Sequence, residues 1–330
     1  DVLINQGAQI FAGIYITNAG DVTIEDCQLI TCGTALYIES GGTVIVSVWA
    51  NNTFFDNSTR GLYILATNGG TIARCLFDQC WFSSSTLQGV LIDADATGVV
   101  NGIDFNGCHV FLNQVEGITI FDGNCSNIQI HDCAIAGNTI YGVSIGQNIN
   151  SVSVQDCNIN NGYGVGANGT GILVNAGTSS NLRICNNNLS GNTTDSMLYL
   201  ATTSSNNIIS GNIGYSGWIA YTPTIVSSAG TITTLGTVVA KYQQINKTVT
   251  ISLDIPITTN GTGSGFITVT TPFTAASAAA FAGRENAITG AALSASIASG
   301  AALIAITTYT GAYPGADGYR LAVSGTFNVV

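Results

Sequence analysis

Gly61-Leu62-Tyr63-Ile64, Gly89-Val90-Leu91-Ile92 and Gly117-Ile118-Thr119-Ile120 repeat one phrase, a small residue followed by a short β-rich run. The phrase also stands at Gly13-Ile14-Tyr15-Ile16, Ala35-Leu36-Tyr37-Ile38, Gly142-Val143-Ser144-Ile145, Gly171-Ile172-Leu173-Val174 and Met197-Leu198-Tyr199-Leu200. Successive starts lie 22, 26, 28, 28, 25, 29 and 26 residues apart, the size of one solenoid coil.

A second run follows each polar turn and gives a sharper register. Three residues past an apolar column (Ile24, Trp49, Phe77, Phe105, Ile130, Val154, Ile184, Ile209) comes Cys27, Asn52, Cys80, Cys108, Cys133, Cys157, Asn187, Asn212. Polar residues such as Glu25, Asn106, His131 and Gln155 alternate with that apolar column, which predicts strands stacked coil on coil. Leucine-rich repeats need a Leu framework that is missing, and ankyrin or tetratricopeptide repeats need a helical periodicity that is also missing.

Only 8% of residues are charged, against about 25% in an ordinary soluble protein, so polarity rests on Asn, Ser, Thr and Gly. Residues 1–217 hold Arg60, Arg74 and Arg183 against fifteen acidic residues, a net of −12, whereas residues 218–330 net +1. Nucleic acid and anionic membrane surfaces are poor partners for such a chain, because phosphate binding needs basic stripes. A neutral or locally cationic polymer suits it better. No apolar run approaches the ~18 residues of a membrane span, so no membrane insertion is expected. Asp1 falls inside a repeat phrase, from which further coils or an attachment domain ahead of it are expected.

All nine cysteines precede residue 186, and five share the ladder column. Stacked side chains are parallel rather than convergent, so the expected state is a ladder of reduced, buried thiols interrupted by Asn amides. No Cys-x-x-Cys pair or nearby His set suggests a metal, and no nucleotide fingerprint or Ser-His-Asp spacing suggests a cofactor or a nucleophile. Cys32 and Cys125 are placed in turns and Cys185 outward, which makes one of them a candidate reactive thiol.

The coil phrase ends at Asn212-Ile213-Gly214, so two domains are expected, 1–217 and 218–330. Beyond the boundary, alternating runs at Thr231 to Thr234, Thr237 to Tyr242, Thr248 to Ile255, Phe266 to Thr270, Leu303 to Thr308 and Tyr319 to Phe327 predict a small antiparallel β-sandwich. The Ala-rich stretch 275–305 reads equally as a helix or as small-residue strands. The fold class is thus all-β, a parallel β-helix solenoid followed by that sandwich.

The segments Trp218-Ile219-Ala220-Tyr221-Thr222-Pro223-Thr224, Lys241-Tyr242-Gln243-Gln244-Ile245-Asn246-Lys247-Thr248-Val249 and Gly318-Tyr319-Arg320-Leu321-Ala322-Val323-Ser324-Gly325 resemble the terminal domain shared by many phage tail proteins. The Asn and Cys column resembles the turn ladder of pectate-lyase-like, right-handed β-helices. Together they make the chain similar to bacteriophage tailspike or tail-fibre receptor-binding proteins. The resemblance implies a virion-tail protein made in the host cytoplasm, a homotrimer held by its C-terminal domain, and contact with other tail proteins through a preceding region. It implies binding of bacterial capsule or lipopolysaccharide, with cleavage by a glycoside hydrolase, or less often a lyase, in some members. A non-enzymatic structural or adhesive solenoid is the alternative. No family-wide catalytic motif exists to be matched.

Stacking makes candidate residues readable from the rows. The outward column of the first run is Tyr15, Tyr37, Tyr63, Leu91, Thr119, Ser144, Leu173, Tyr199, so three tyrosines form a flat strip. The strip serves either as a platform for sugar rings or as a face buried by neighbouring subunits. Glycoside cleavage ordinarily uses two carboxyls. Glu39, Asp93, Asp95, Glu116 and Asp122 fall near the strip and are the catalytic candidates, with Tyr15, Tyr37, Tyr63 and Arg60 as glycan contacts. His131 lies outward between Asn106 and Gln155, with Asp78 and Asp104 on nearby coils. Asp26, Asp132 and Asp156, each just before the ladder residue, read as turn formers.

Overall fold

Each repeat phrase becomes one coil. A computed structural model describes residues 2–5, 11–121, 124–160, 162–201, 203–215, 217–245 and 247–329. Two compact units divide the chain, Asp1–Tyr215 and Ser216–Val330.

In the first unit, the opening runs form an eight-stranded parallel sheet from Ala12–Ile16, Thr34–Gly41, Arg60–Thr67, Val90–Ala94, Glu116–Ile120, Tyr141–Ile145, Thr170–Val174 and Asp195–Tyr199. The second runs, among them Thr71–Asp78, Val99–Asn106, Cys125–His131 and Asn150–Gln155, build an eleven-stranded sheet. Short strands after the ladder residue, such as Phe54–Asp56, Trp81–Ser83 and His109–Phe111, build a seven-stranded third sheet. Strand pairing between successive coils is parallel, as in Phe77↔Phe105↔Ile130↔Val154.

Like residues therefore pile on like residues. Leu36, Leu62, Val90, Ile118, Val143 and Ile172 form one fully buried column. Phe55 lies on Phe82 at 4.9 Å, and Phe77 on Phe105 at 5.0 Å between ring centroids. Burying each such ring contributes about 1.5–3 kcal/mol toward the cost of ordering the coil.

The ladder explains why Cys and Asn interchange. From Cys80 onward the ladder side chains donate to the carbonyl of the apolar residue one coil earlier: Cys108 Sγ to Phe77 O at 3.2 Å, Cys133 to Phe105 O at 3.5 Å, Asn187 Nδ2 to Val154 O at 2.9 Å. The residue before it sits in the left-handed backbone region: Asp26, Gln79, Gly107, Asp132, Asp156 and Asn186 have φ between 51° and 60°. Short polar residues and Gly tolerate that conformation best, which accounts for the repeated Asp. Three ladder thiols are held protonated, Cys108 chiefly by burial, Cys133 and Cys157 chiefly by the thiol one coil back, whereas the bond with Cys108 lowers Cys80. Every cysteine is free, and burial raises Cys75 to about 11.

Three register expectations need correction. Ala50, not Trp49, pairs with Phe77 in the core column, so the small side chain takes the buried position. Trp49 is consequently turned out to solvent and Thr53 replaces Asn52 on the ladder, accepting from Cys27 N through Oγ1. Asn52 takes the left-handed position and donates to Asp26. In the last coil Met197 pairs with Ile172 and Tyr199 with Val174, so Tyr199 leaves the outward column and bonds Asn207 Nδ2 instead. Cys32, Cys125 and Cys185 are all buried, Cys125 opening a strand rather than a turn, and only Cys27 is partly exposed.

A second amide ladder went unread in the sequence. Asn113, Asn138, Asn168 and Asn192 stack with Nδ2···Oδ1 separations of 2.9, 2.9 and 3.1 Å, and Asn138 and Asn168 also accept from the backbone N–H one coil earlier. Gly89, Gly117, Gly142 and Gly171, which open four of the phrases, lie against this ladder. A Cβ on Gly117 would come 2.5 Å from the Gly142 carbonyl oxygen and 2.9 Å from Asn138 Nδ2.

The second unit is one ten-stranded antiparallel sheet around its own core. Thr248–Thr259 alternates strictly, with Val249, Ile251, Leu253, Ile255 and Ile257 inward, and pairs with Val239–Ile245 and Arg320–Asn328. Tyr242 near one end of the strand order touches Phe273, which follows Ser264–Thr270 near the other end, at 5.0 Å, so the sheet folds over on itself. The Ala-rich stretch forms strands Ala279–Glu285 and Ala292–Ile297, with Phe281, Leu293, Ala295 and Ile297 inward. The reversal between them winds around the buried Glu285 carboxylate, which accepts from the backbone N–H of Ala287, Ile288, Thr289, Gly290 and Arg320.

Candidate functional site

The outward face of the first sheet carries the tyrosine strip. Tyr15, Tyr37 and Tyr63 pair residue for residue across three coils, and their rings stack at 5.2 and 5.0 Å with planes 26° and 9° apart. Parallel strands impose the spacing; side chains of equal length at equal height impose the tilt. Phe11 meets Tyr15 and Tyr37 edge-on at 5.9 and 5.4 Å.

Carboxylates flank the strip. Tyr15 Oη donates to Glu39, and this bond raises the Tyr15 pKa. Tyr37 is raised well above the phenol range by burial and by the Glu39 charge, Tyr63 by burial and by Asp93. Glu39 and Asp93 both pair with Leu65, so they share a column two coils apart, about 9.6 Å along the stack.

Arg60 starts the strand that carries Tyr63. Its guanidinium lies over the Tyr63 ring, 5.4 Å from the centroid, and its Nε donates to Gln88 Oε1 at 3.1 Å. Gln88 Nε2 donates in turn to Glu116 at 3.0 Å, so Glu116 is tied to Arg60 through an amide. Phe11, Gly33, Thr34, Tyr37, Thr59, Arg60 and Tyr63 line a shallow depression of about 280 Å³. Tyr37, Tyr63 and Arg60 thus meet in one place, with Glu39, Asp93 and Glu116 around it.

Asp95 has a different setting. It accepts from the backbone N–H of Asn68, Thr97 and Gly98 and from the Thr97 hydroxyl, and these bonds pull its pKa down to about 2. A carboxylate so held shapes a turn and is a poor proton donor. Asp122 lies outside the described residues.

Phe11 and Gln88 were missed in the sequence because each falls outside the strand rows. A second aromatic ribbon was also missed, although its signal was present one position past the ladder. Phe54, Trp81 and His109 stack at 5.8 and 4.9 Å on the third sheet, with Phe111 and Tyr163 against them. On the second sheet, His131 bridges Asp104 (2.9 Å) and Asp132 (3.1 Å). Among the described residues no group of three His, Cys, Asp or Glu side chains is placed to hold a metal ion.

Residues 12–171 match the family model of the right handed beta helix region. No curated protein matches the chain. Similar solved structures include the Dettilon tailspike protein, 11% identical, covering 96% of this chain and 87% of that one with a TM-score of 0.32. Tailspike protein 2 of an Escherichia coli O157:H7 bacteriophage is 15% identical over 93% of this chain, with a TM-score of 0.41, and a periplasmic alginate epimerase is 11% identical over 59%, with a TM-score of 0.45. This chain spans 46% and 47% of those two, and no residue role is carried over from any of them.

Proposed function

We propose that this chain is the receptor-binding part of a phage tailspike that holds a bacterial capsule or lipopolysaccharide against the Tyr15–Tyr37–Tyr63 strip during host attachment. The stacked strip beside the half-buried Arg60 carries the reading, because the aligned ring edges give a sugar an apolar ridge to lie along while Thr34, Thr59 and Arg60 offer polar contacts. The resemblance of the C-terminal segments to phage tail proteins supports the virion-tail setting. The ribbon of exposed Phe54 and half-buried Trp81 suits a face covered in a parallel homotrimer, which the C-terminal unit holds together.

Glu39 and Asp93 supply the chemistry in this reading. One protonates the glycosidic oxygen while the other takes a proton from the attacking water, so the bond breaks with one water consumed. Their strand positions are about 9.6 Å apart, just beyond the roughly 6.5–9.5 Å between carboxyls that leaves room for that water and inverts the anomeric centre. Glu116 positions Arg60 through Gln88. Incubating the protein with capsular polysaccharide and lipopolysaccharide from a panel of bacteria, scoring binding and chain length separately, tests both parts. Binding with shortened chains is expected; binding without shortening removes the hydrolase, and absence of binding removes the receptor role.

A further inference from the structure

Arg60 is the basic side chain lining the depression, on a unit that is otherwise strongly acidic. Among the described residues it forms no ion pair, and its one hydrogen bond is made by Nε to the neutral amide of Gln88. The terminal N–H groups are thus left without a protein acceptor among those residues, on a guanidinium fixed in orientation by Tyr63 below and Gln88 beside it. A guanidinium presents paired donors in a geometry that matches a carboxylate, and holding it in advance lowers the entropy lost on binding.

We propose that the depression selects a carboxylate-bearing sugar, a uronic acid or a sialic-acid-type residue, with its carboxylate on Arg60 and its ring against the half-buried edge of Tyr63. This rests on the glycan-binding reading above. The distant part of the unit's net charge of −12 is largely screened beyond about 8 Å at physiological ionic strength, whereas Glu39, Asp93 and Glu116 stand near the depression and oppose an anion, so the half-buried Arg60 contact has to outweigh them. Thr34 and Thr59 line the same depression and suit the sugar hydroxyls.

The test uses the bacterial polysaccharide that the intact protein binds most tightly in the panel, in its native form and after chemical reduction of its carboxyl groups to alcohols. The wild type is expected to bind the native form at least tenfold more tightly. Arg60→Gln should remove that preference, Arg60→Lys should keep part of it, and Tyr63→Ala, which removes a ring contact and the support under Arg60, should weaken both forms, the native one more. Thermal unfolding of each variant controls for damage to the coil. A best-bound polysaccharide without carboxyl groups, or an unchanged preference in a folded Arg60→Gln protein, overturns the acidic-sugar assignment while leaving glycan binding intact. Failure to bind any polysaccharide overturns both.

Discussion

Tyr37 and Tyr63 lie one coil apart with their rings parallel to within 9° and their centroids 5.0 Å apart, yet the two residues are buried to different degrees. Tyr37 is only 5% exposed, whereas Tyr63 is half-buried. Stability and binding should therefore separate along the strip. Tyr37→Ala is expected to cost about 3 kcal/mol, as for other large aromatic truncations in a packed site. Tyr63→Ala should cost less in stability than Tyr37→Ala while losing at least tenfold in polysaccharide affinity, measured by calorimetry on the bound glycan.

The two ladders predict different tolerances at neighbouring buried positions. Asn138 is fully buried, accepts from Asn113 and donates to Val110 O and Asn168. Asn138→Ala should cost roughly 1–3 kcal/mol for each partner left unpaired. Cys133→Ser keeps a donor for Phe105 O and should be milder, whereas a charged residue there should unfold neighbouring coils. In the native protein only Cys27 should react quickly with a maleimide; fast labelling of Cys108 or Cys133 would show the register to be wrong.

His131 gives a pH dependence with a definite sign. Partial burial lowers its pKa, but the hydrogen bond to Asp132 and the charge and hydrogen bond of Asp104 outweigh that, and the net shift is upward. A raised pKa means that the stabilisation is complete below the unfolded value near 6.5 and is lost as pH rises through the folded one. The gap in unfolding temperature between wild type and His131→Gln should thus be larger at about pH 5.5 than at about pH 8.5. Each pair is partly exposed and worth only about 0.2–1 kcal/mol, so an equal gap at both values would mean that the bridges contribute nothing.

In the second unit the Glu285 carboxylate organises the 286–291 reversal through five backbone N–H groups, and its pKa is driven far below the usual range by those bonds against the opposing effect of burial. A depressed pKa places its stabilisation above the ordinary carboxylate range, to be lost as pH falls toward the folded value. Glu285→Gln keeps the shape but replaces an anion by an amide, and should destabilise the unit by about 1.5–3 kcal/mol near neutral pH. A shift confined to the first unit's unfolding transition would contradict this.

The coil architecture was legible because stacking forces like residues into columns, and columns survive as periodicity even when loops vary in length. Register failed where that signal was ambiguous. Trp49 outweighs Ala50 in hydrophobicity, but the core position under Phe77 takes the smaller residue. The last phrase opens with Ser196 rather than Gly, so counting from Met197 displaced Tyr199 by one position and, with a period of two, to the other face. The Asn113 to Asn192 ladder escaped notice because it lies in turns, where no strand alternation marks it. The tyrosine strip could be placed from the rows, whereas Phe11 and Gln88 reach the site from loops and needed the three-dimensional path.

Asp93 and Asp95 stand two positions apart on one strand end and should respond oppositely to the same substitution. Asp93 lies in the Glu39 column and acts on Tyr63, and in the proposed hydrolysis it exchanges a proton with water or with the glycosidic oxygen. Asp93→Asn cannot do so, and should abolish chain shortening while polysaccharide binding and unfolding temperature stay near wild type. Asp95 is spent on the backbone N–H groups of Asn68, Thr97 and Gly98, which an amide oxygen accepts from less strongly than a carboxylate. Asp95→Asn should lower the unfolding temperature above about pH 4, where the wild-type carboxylate is charged in both states, and leave cleavage per folded molecule unchanged. Gel filtration of the digested polysaccharide, set beside thermal unfolding of the same samples, reads both effects. Full cleavage by the Asp93→Asn and Glu39→Gln double variant would remove this pair from the chemistry.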